Sequence, residues 1–360
     1  MRLGRRPLLL LIAVVVVAVL VAGGLLVRSR LSSSDFEDAM GKLPAGAKRA
    51  SFTDWAAVRD SVPGGSSLSA RSSADDFRTF LDKAFDKDLT AVSALSDSFE
   101  GLAANYGITP LDAEWEAYGQ AEDGSVDVVK LDSEVDLSAL EDRFQKMGYQ
   151  APADGPGSGG VWQGTPELVV GLKSPLLDLQ QNVAVVADQR LLMMSDDADY
   201  LKRSLAVVSG DSDSLTSVDN VPALVDAAGN TTVAELWAGD FACSDLAMSQ
   251  ADPSDVSDAE SMVAKAGGVH PLSGLVMAQQ PDLSLVVGMA FESSDEASAD
   301  LQPRTDLASG AAPGQGGTFS DRFRIEDSVA DGNLVKMTFK PVKGPLLNDL
   351  GEGPVLFATC

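Results

Sequence analysis

The sequence predicts an α+β chain: a single N-terminal transmembrane helix followed by an ectodomain of two related antiparallel sheet-plus-helix modules. Three observations carry that prediction. Pro7–Val27 is an unbroken run with no charge and no polar side chain. Beyond it, short alternating runs and amphipathic runs are punctuated by Gly, Pro and Asp. Gly107-Ile108-Thr109-Pro110-Leu111 is matched later by Gly268-Val269-His270-Pro271-Leu272. After each match the order strand pair, helix, hairpin recurs.

The apolar run sets the topology. As a helix it rises about 1.5 Å per residue, enough for a hydrocarbon core of about 30 Å. A secretory signal is shorter and ends in a small-residue cleavage site. Here Leu25, Leu26 and Val27 continue past Gly23-Gly24, which favours an uncleaved anchor. Arg2, Arg5 and Arg6 precede the run and Arg28 and Arg30 follow it, so the basic excess places the N-terminus in the cytoplasm. The expected organisation is a cytoplasmic tail at 1–6, the span at 7–27, a juxtamembrane stalk at 28–50, a first module with N-terminal helices at 51–220 and a second module at 221–360.

Each element follows from local chemistry. Asp35–Met40 has room for one or two helical turns before Leu43-Pro44-Ala45-Gly46 breaks the chain. Thr53 or Asp54 caps a helix through Arg59, and Ser73 caps the next. Phe77, Phe80, Leu81, Ala84 and Phe85 share one helical face, as do Leu89, Val92, Leu95, Phe99 and Leu102. Ala113–Gln120 and Ser125–Leu131 read as paired strands. Asp136 caps a helix carrying Leu137, Leu140, Phe144 and Met147. Val183–Val186 and Leu191–Ser195 form a hairpin, and Asp197 caps a helix ending at Gly210. In the second half, Thr231–Ala238, Leu275–Gln279 and Leu283–Phe291 read as strands. Asp258–Ala266 and Ser294–Gly310 read as helices, the latter interrupted by Pro303. Phe323–Val329 and Leu334–Phe339 close the series as a hairpin. The hairpin tips also match, Ala187-Asp188 with Ala330-Asp331. Two features weigh against duplication. The spacing of matched landmarks shortens along the chain, and Ala113-Glu114-Trp115 has a rival partner in Ala234-Glu235-Leu236-Trp237.

Composition limits function. The net charge is −26, and the five arginines of the first thirty residues leave 22 basic against 53 acidic side chains beyond them. Phosphate binding needs clustered Lys and Arg, so nucleic acid is excluded as a partner. Catalytic signatures are missing. His270 is the one histidine, no serine sits in a G-x-S-x-G elbow, and there is no phosphate-binding glycine loop. No cofactor or metal site is expected: Asp211-x-Asp213 departs from a calcium loop at Leu215 and Thr216, and Asp252, Asp255, Asp258 and Glu260 suit a helix N-terminus. Trp115 and Trp162 read as core or edge packing rather than a sugar- or peptide-stacking platform. His270 aligns with Thr109, so it reads as a turn residue. Cys243 and Cys360 are an even pair, expected as a disulfide outside the cytoplasm.

Ser51–Arg59 (SFTDWAAVR), Gly107–Gln120 (GITPLDAEWEAYGQ) and Gly353–Cys360 (GPVLFATC) resemble uncharacterised membrane-anchored envelope proteins of high-GC actinobacteria. The resemblance implies a cell-envelope location and supplies no functional residue. The expected function is a membrane-tethered extracytoplasmic binding or envelope-organising protein without catalytic activity. It would be held to the membrane through Pro7–Val27 and engage an envelope protein or ligand. The alternatives are a carrier with an apolar groove and, behind it, a carboxylate-based hydrolase.

Overall fold

A computed structural model of the chain describes residues 34–69, 72–246 and 248–360. The expected span Pro7–Val27 lies outside them. Among the described residues no helix is long and apolar enough to cross a membrane.

In chain order the elements are α1 (Asp35–Met40), β1 (Arg49–Asp54), α2 (Trp55–Ser61), α3 (Ala74–Phe85), α4 (Ala94–Asn105), β2 (Ala113–Ala121), β3 (Gly124–Leu131), α5 (Leu137–Met147), β4 (Trp162–Gln163), α6 (Pro166–Gly171), β5 (Asn182–Val186), β6 (Leu191–Ser195) and α7 (Ala198–Val208). They continue with α8 (Val221–Ala228), β7 (Val233–Ala238), α9 (Phe241–Asp245), α10 (Pro253–Ala266), β8 (Gly274–Gln279), β9 (Leu285–Ala290), α11 (Ser294–Leu307), β10 (Phe323–Asp331), β11 (Leu334–Pro341) and α12 (Leu346–Gly351).

The strands form one antiparallel sheet of eleven, in the order β10-β11-β9-β8-β7-β1-β2-β3-β6-β5-β4. This corrects the expectation of two separate sheets. The sheet continues across the halves because β1 pairs with β2 on one side and β7 on the other. Within each half the expected pattern holds. β2-β3-β6-β5 and β8-β9-β11-β10 have the same order relative to the chain, and β1 and β7 occupy the same place before each. Gly107 and Gly268 both take left-handed backbone (φ 72° and 87°) just before the first strand of each set.

Helices cover both faces of the sheet, not one. Alternate strand residues supply two cores. Face one carries Val129, Leu192, Trp237, Met277 and Phe339, and face two carries Phe52, Trp115, Val128, Ala234 and Val276. On face two, α1 covers β1 and β2, α7 covers β3, β5 and β6, and α8 covers β8 and β9. Leu140 and Phe144 of α5 and Leu307 of α11 are buried, while Leu137 and Leu301 are partly buried. The α11 helix runs through Pro303.

The expected stalk is also corrected. From Ser34 onward it belongs to the folded body. Ser34 caps α1 by accepting from the Glu37 N–H, and α1 buries Phe36, Ala39 and Met40. Arg49–Asp54 is a strand at the centre of the sheet, and only after Asp54, the expected cap, does helix begin. Asp88 ends the second expected stripe differently. Its left-handed φ of 65° turns the chain, so Leu89 and Val92 lie in a loop and α4 starts after Ser93. Phe85 is half-exposed, outside the face assigned to it.

The centrality of β1 is testable. Phe52 is buried against Phe36, with ring centroids 5.2 Å apart. Phe52→Ala should cost about 3–5 kcal/mol in urea unfolding, the usual range for a buried aromatic. Phe85→Ser should stay within about 0.5 kcal/mol. Equal effects would contradict the packing.

Candidate functional site

The seam between β1 and β7 joins the halves, and the β1 side chains on face one are polar. Arg49, Ser51 and Thr53 alternate with the apolar Ala50 and Phe52 on β1. Ser51 stands opposite Tyr118 on β2 and Glu235 on β7. A cleft of about 420 Å³ opens over this seam. Its floor is Arg49, Ser51, Tyr118, Gln120 and Glu235. One wall is Ala91–Ala94 with Asp97 of α4, and the other is Leu177 and Leu179.

Arg49 is fully committed. It pairs with the buried Glu235, donates to the Gly351 carbonyl (3.3 Å), approaches Asp245 (3.6 Å) and lies over the Trp237 ring (5.3 Å). Burial raises the Glu235 carboxyl, and the Arg49 guanidinium opposes that rise. A Cβ at residue 351 would meet the Glu235 carboxylate, so any larger residue there would displace it from Arg49.

Two further carboxyls lie on the same face. Glu116 accepts from Trp55 Nε1 (2.9 Å), Ser93 Oγ (2.5 Å) and the Leu95 N–H (2.9 Å). It therefore serves the α4 N-terminus from inside the protein. Asp127, opposite Tyr118 on β3, is completely buried and neither oxygen has a hydrogen-bond partner. Burial, helped by the neighbouring Glu116 charge, pushes its carboxyl well above the ordinary range. The two acids are sealed from solvent, so they do not form an open acid–base pair.

Asp88 links the halves a second time. This first-half residue accepts from the N–H groups of Leu347 and Asn348 at the start of α12. Burial raises its carboxyl from 3.8 to about 6.

Cys243 and Cys360 form a disulfide with Cα atoms 5.4 Å apart. A buried ion pair supports the same tail. Arg304 Nε donates to Asp300 (2.8 Å), and its other nitrogens donate to the carbonyls of Phe357 (2.7 Å), Thr359 (3.0 Å) and His270 (2.5 Å). His270 is more than the turn residue expected from its match with Thr109: its Nδ1 lies 2.5 Å from Asp300 Oδ1. Trp115, Trp162, Trp55 and Trp237 are all buried. Among the described residues no group of three His, Cys, Asp or Glu is arranged to hold a metal ion, and the acids around α10 do not converge.

The sequence reading missed Arg49, Ser51, Tyr118, Asp127 and Glu235 as a group. Arg49 fell in the expected stalk and Ser51 just before an expected helix cap; the signal that could have found them was the period-two alternation of β1 and β3.

No protein-family model matches the chain. No curated protein matches it. Two solved crystal forms of TP0453 resemble it weakly. Their TM-scores are 0.40 and 0.38 at 7% and 8% identity, over 87% and 86% of this chain and 96% of each of those chains.

Two outcomes follow from these groups. Between pH 4 and 6 the folded chain holds a proton on Asp88 that the unfolded chain has released. Stability from this residue therefore falls as pH rises through that window, by up to about 3 kcal/mol. Asp88→Asn keeps an acceptor oxygen and should flatten the slope. Urea midpoints of both proteins at pH 4 and pH 6.5 measure the difference, and parallel slopes would refute it. Separately, Arg304→Met should destabilise by about 3–5 kcal/mol by stranding the Asp300 charge. The double variant with Asp300→Asn should lose clearly less than the sum of the singles. Additive losses would show that the two side chains are not coupled.

Proposed function

We propose that the chain is a membrane-tethered, extracytoplasmic binding protein of the cell envelope, without catalytic activity, that takes its ligand in the cleft over the β1–β7 seam. The cleft itself carries this reading. It is open, lies over the seam where the halves meet, and has a polar floor fixed by Arg49 and Glu235. The anchor Pro7–Val27 with its arginine flanks supports the tether, and the Cys243–Cys360 bond suits an oxidising compartment. The shared strand order of the halves supports descent from one duplicated module, with the cleft at the junction.

Charged groups in the cleft weigh against a carrier of apolar cargo, which needs a long apolar chamber. The sealing of Glu116 and Asp127 weighs against a carboxylate hydrolase.

Protease added to intact cells or spheroplasts should degrade the C-terminal body and spare a cytoplasmic N-terminal tag. Survival of the body would place it inside and end the extracytoplasmic reading. Ser51→Trp should fill the cleft. Native mass spectrometry of the full chain should then show loss of a small co-purifying ligand that the unaltered chain retains. Retention by the variant would move the ligand elsewhere.

A further inference from the structure

Among the described residues, Asp127 is the fully buried carboxyl with no hydrogen-bond partner on either oxygen. A buried polar group without a partner is costly, so its retention points to a partner that arrives. Its place in the fold identifies where. Asp127 is side by side with Tyr118, which lines the cleft. Over β3 and β6 lies the turn Leu177–Gln180, whose Leu177 and Leu179 form one cleft wall. Gln180 of that turn is also completely buried, and its Nε2 has no partner while its Oε1 accepts from the Leu177 N–H (2.8 Å). Three unpartnered polar atoms therefore lie behind the Tyr118–Leu179 side of the cleft.

Charge decides the ligand class. An ionised carboxylate only accepts, so Asp127 suits a donor. Arg49, the one cation lining the cleft, is already held by Glu235, Gly351 and Asp245. Asp97 at the mouth has no cationic partner. The groups left for a ligand in and behind the cleft are therefore carboxyls, Asp97 and Asp127.

We propose that the cleft binds a ligand bearing a protonated amine, and that the ammonium group seats on Asp127 once the Leu177–Gln180 turn lifts. This rests on the reading of the cleft as a binding site and names its ligand class. The exchange balances: the Asp127 carboxyl releases its proton to solvent, and the ammonium, which keeps its own protons, donates to the resulting carboxylate.

The test is calorimetric titration of the full chain in detergent with cadaverine and agmatine, and with glutarate and pentanol as acidic and neutral controls. Ethanolamine lipid in nanodiscs distinguishes a headgroup amine from a soluble one. At pH 6, titration in two buffers of different ionisation heat should show proton release on amine binding. Asp127→Asn should weaken amine binding at least about tenfold, the scale of one charged hydrogen bond, without lowering the melting temperature. Proton release needs no variant, so misfolding of Asp127→Asn would leave the proposal testable. Glutarate or pentanol binding as tightly as the amines would overturn it, as would unchanged amine affinity in Asp127→Asn. Amine binding without proton release would overturn it too. So would a co-purified, Ser51→Trp-sensitive ligand without a basic nitrogen, which would leave the binding reading standing.

Discussion

The antiparallel pairing of β1 with β7 is the constraint on which the rest depends. Five backbone register pairs, Arg49↔Trp237 to Thr53↔Val233, join what would otherwise be two sheets. The Arg49–Glu235 ion pair crosses that seam on the side where the cleft lies. Breaking such a partly buried pair strands a charge, which costs far more than the pair itself contributes. The seam therefore sets the geometry of the cleft floor and couples it to the integrity of the whole sheet.

The ties between halves are chemically varied. Asp88 reaches from the first half to the start of α12, and Gln279 Nε2 of β8 donates to the Lys87 carbonyl (2.8 Å). In the second half, Arg304 and the disulfide hold the tail while Phe357 packs among Phe319, Phe323 and Phe339. These contacts make the halves one cooperative body, although each repeats the same strand order.

Much of the fold was legible because its signals are local. Asp54, Ser73, Asp136 and Asp197 all cap helices, by geometry a short side chain dictates. The hairpins sit where Asp-Gly and similar tips demanded turns, and the two cysteines paired as their number required. What escaped was non-local. Nothing near Arg49 says that a six-residue strand will lie at the centre of eleven. Nothing near Asp127 says that a polar position in an alternating strand is covered by a turn more than forty residues later. The α1 helix was expected at Asp35–Met40, but its burial was hidden, because Phe36 and Met40 look like stalk residues until β1 and β2 are beneath them.

The two ends of the sheet are unequal. At one end β4 contributes two residues, Trp162 and Gln163, and Gln150 already bridges to Gln163. At the other, β10 is nine residues long, largely exposed, and carries a bulge near Glu326 and Asp327. Bulges and charges are common guards on an open edge. A fibre built by edge pairing needs every copy to offer two usable edges. Copies that met through β10 would find nothing comparable at β4, so growth would stop at a pair. A dense population of this protein is thereby protected from runaway sheet extension by its architecture, before any chaperone acts.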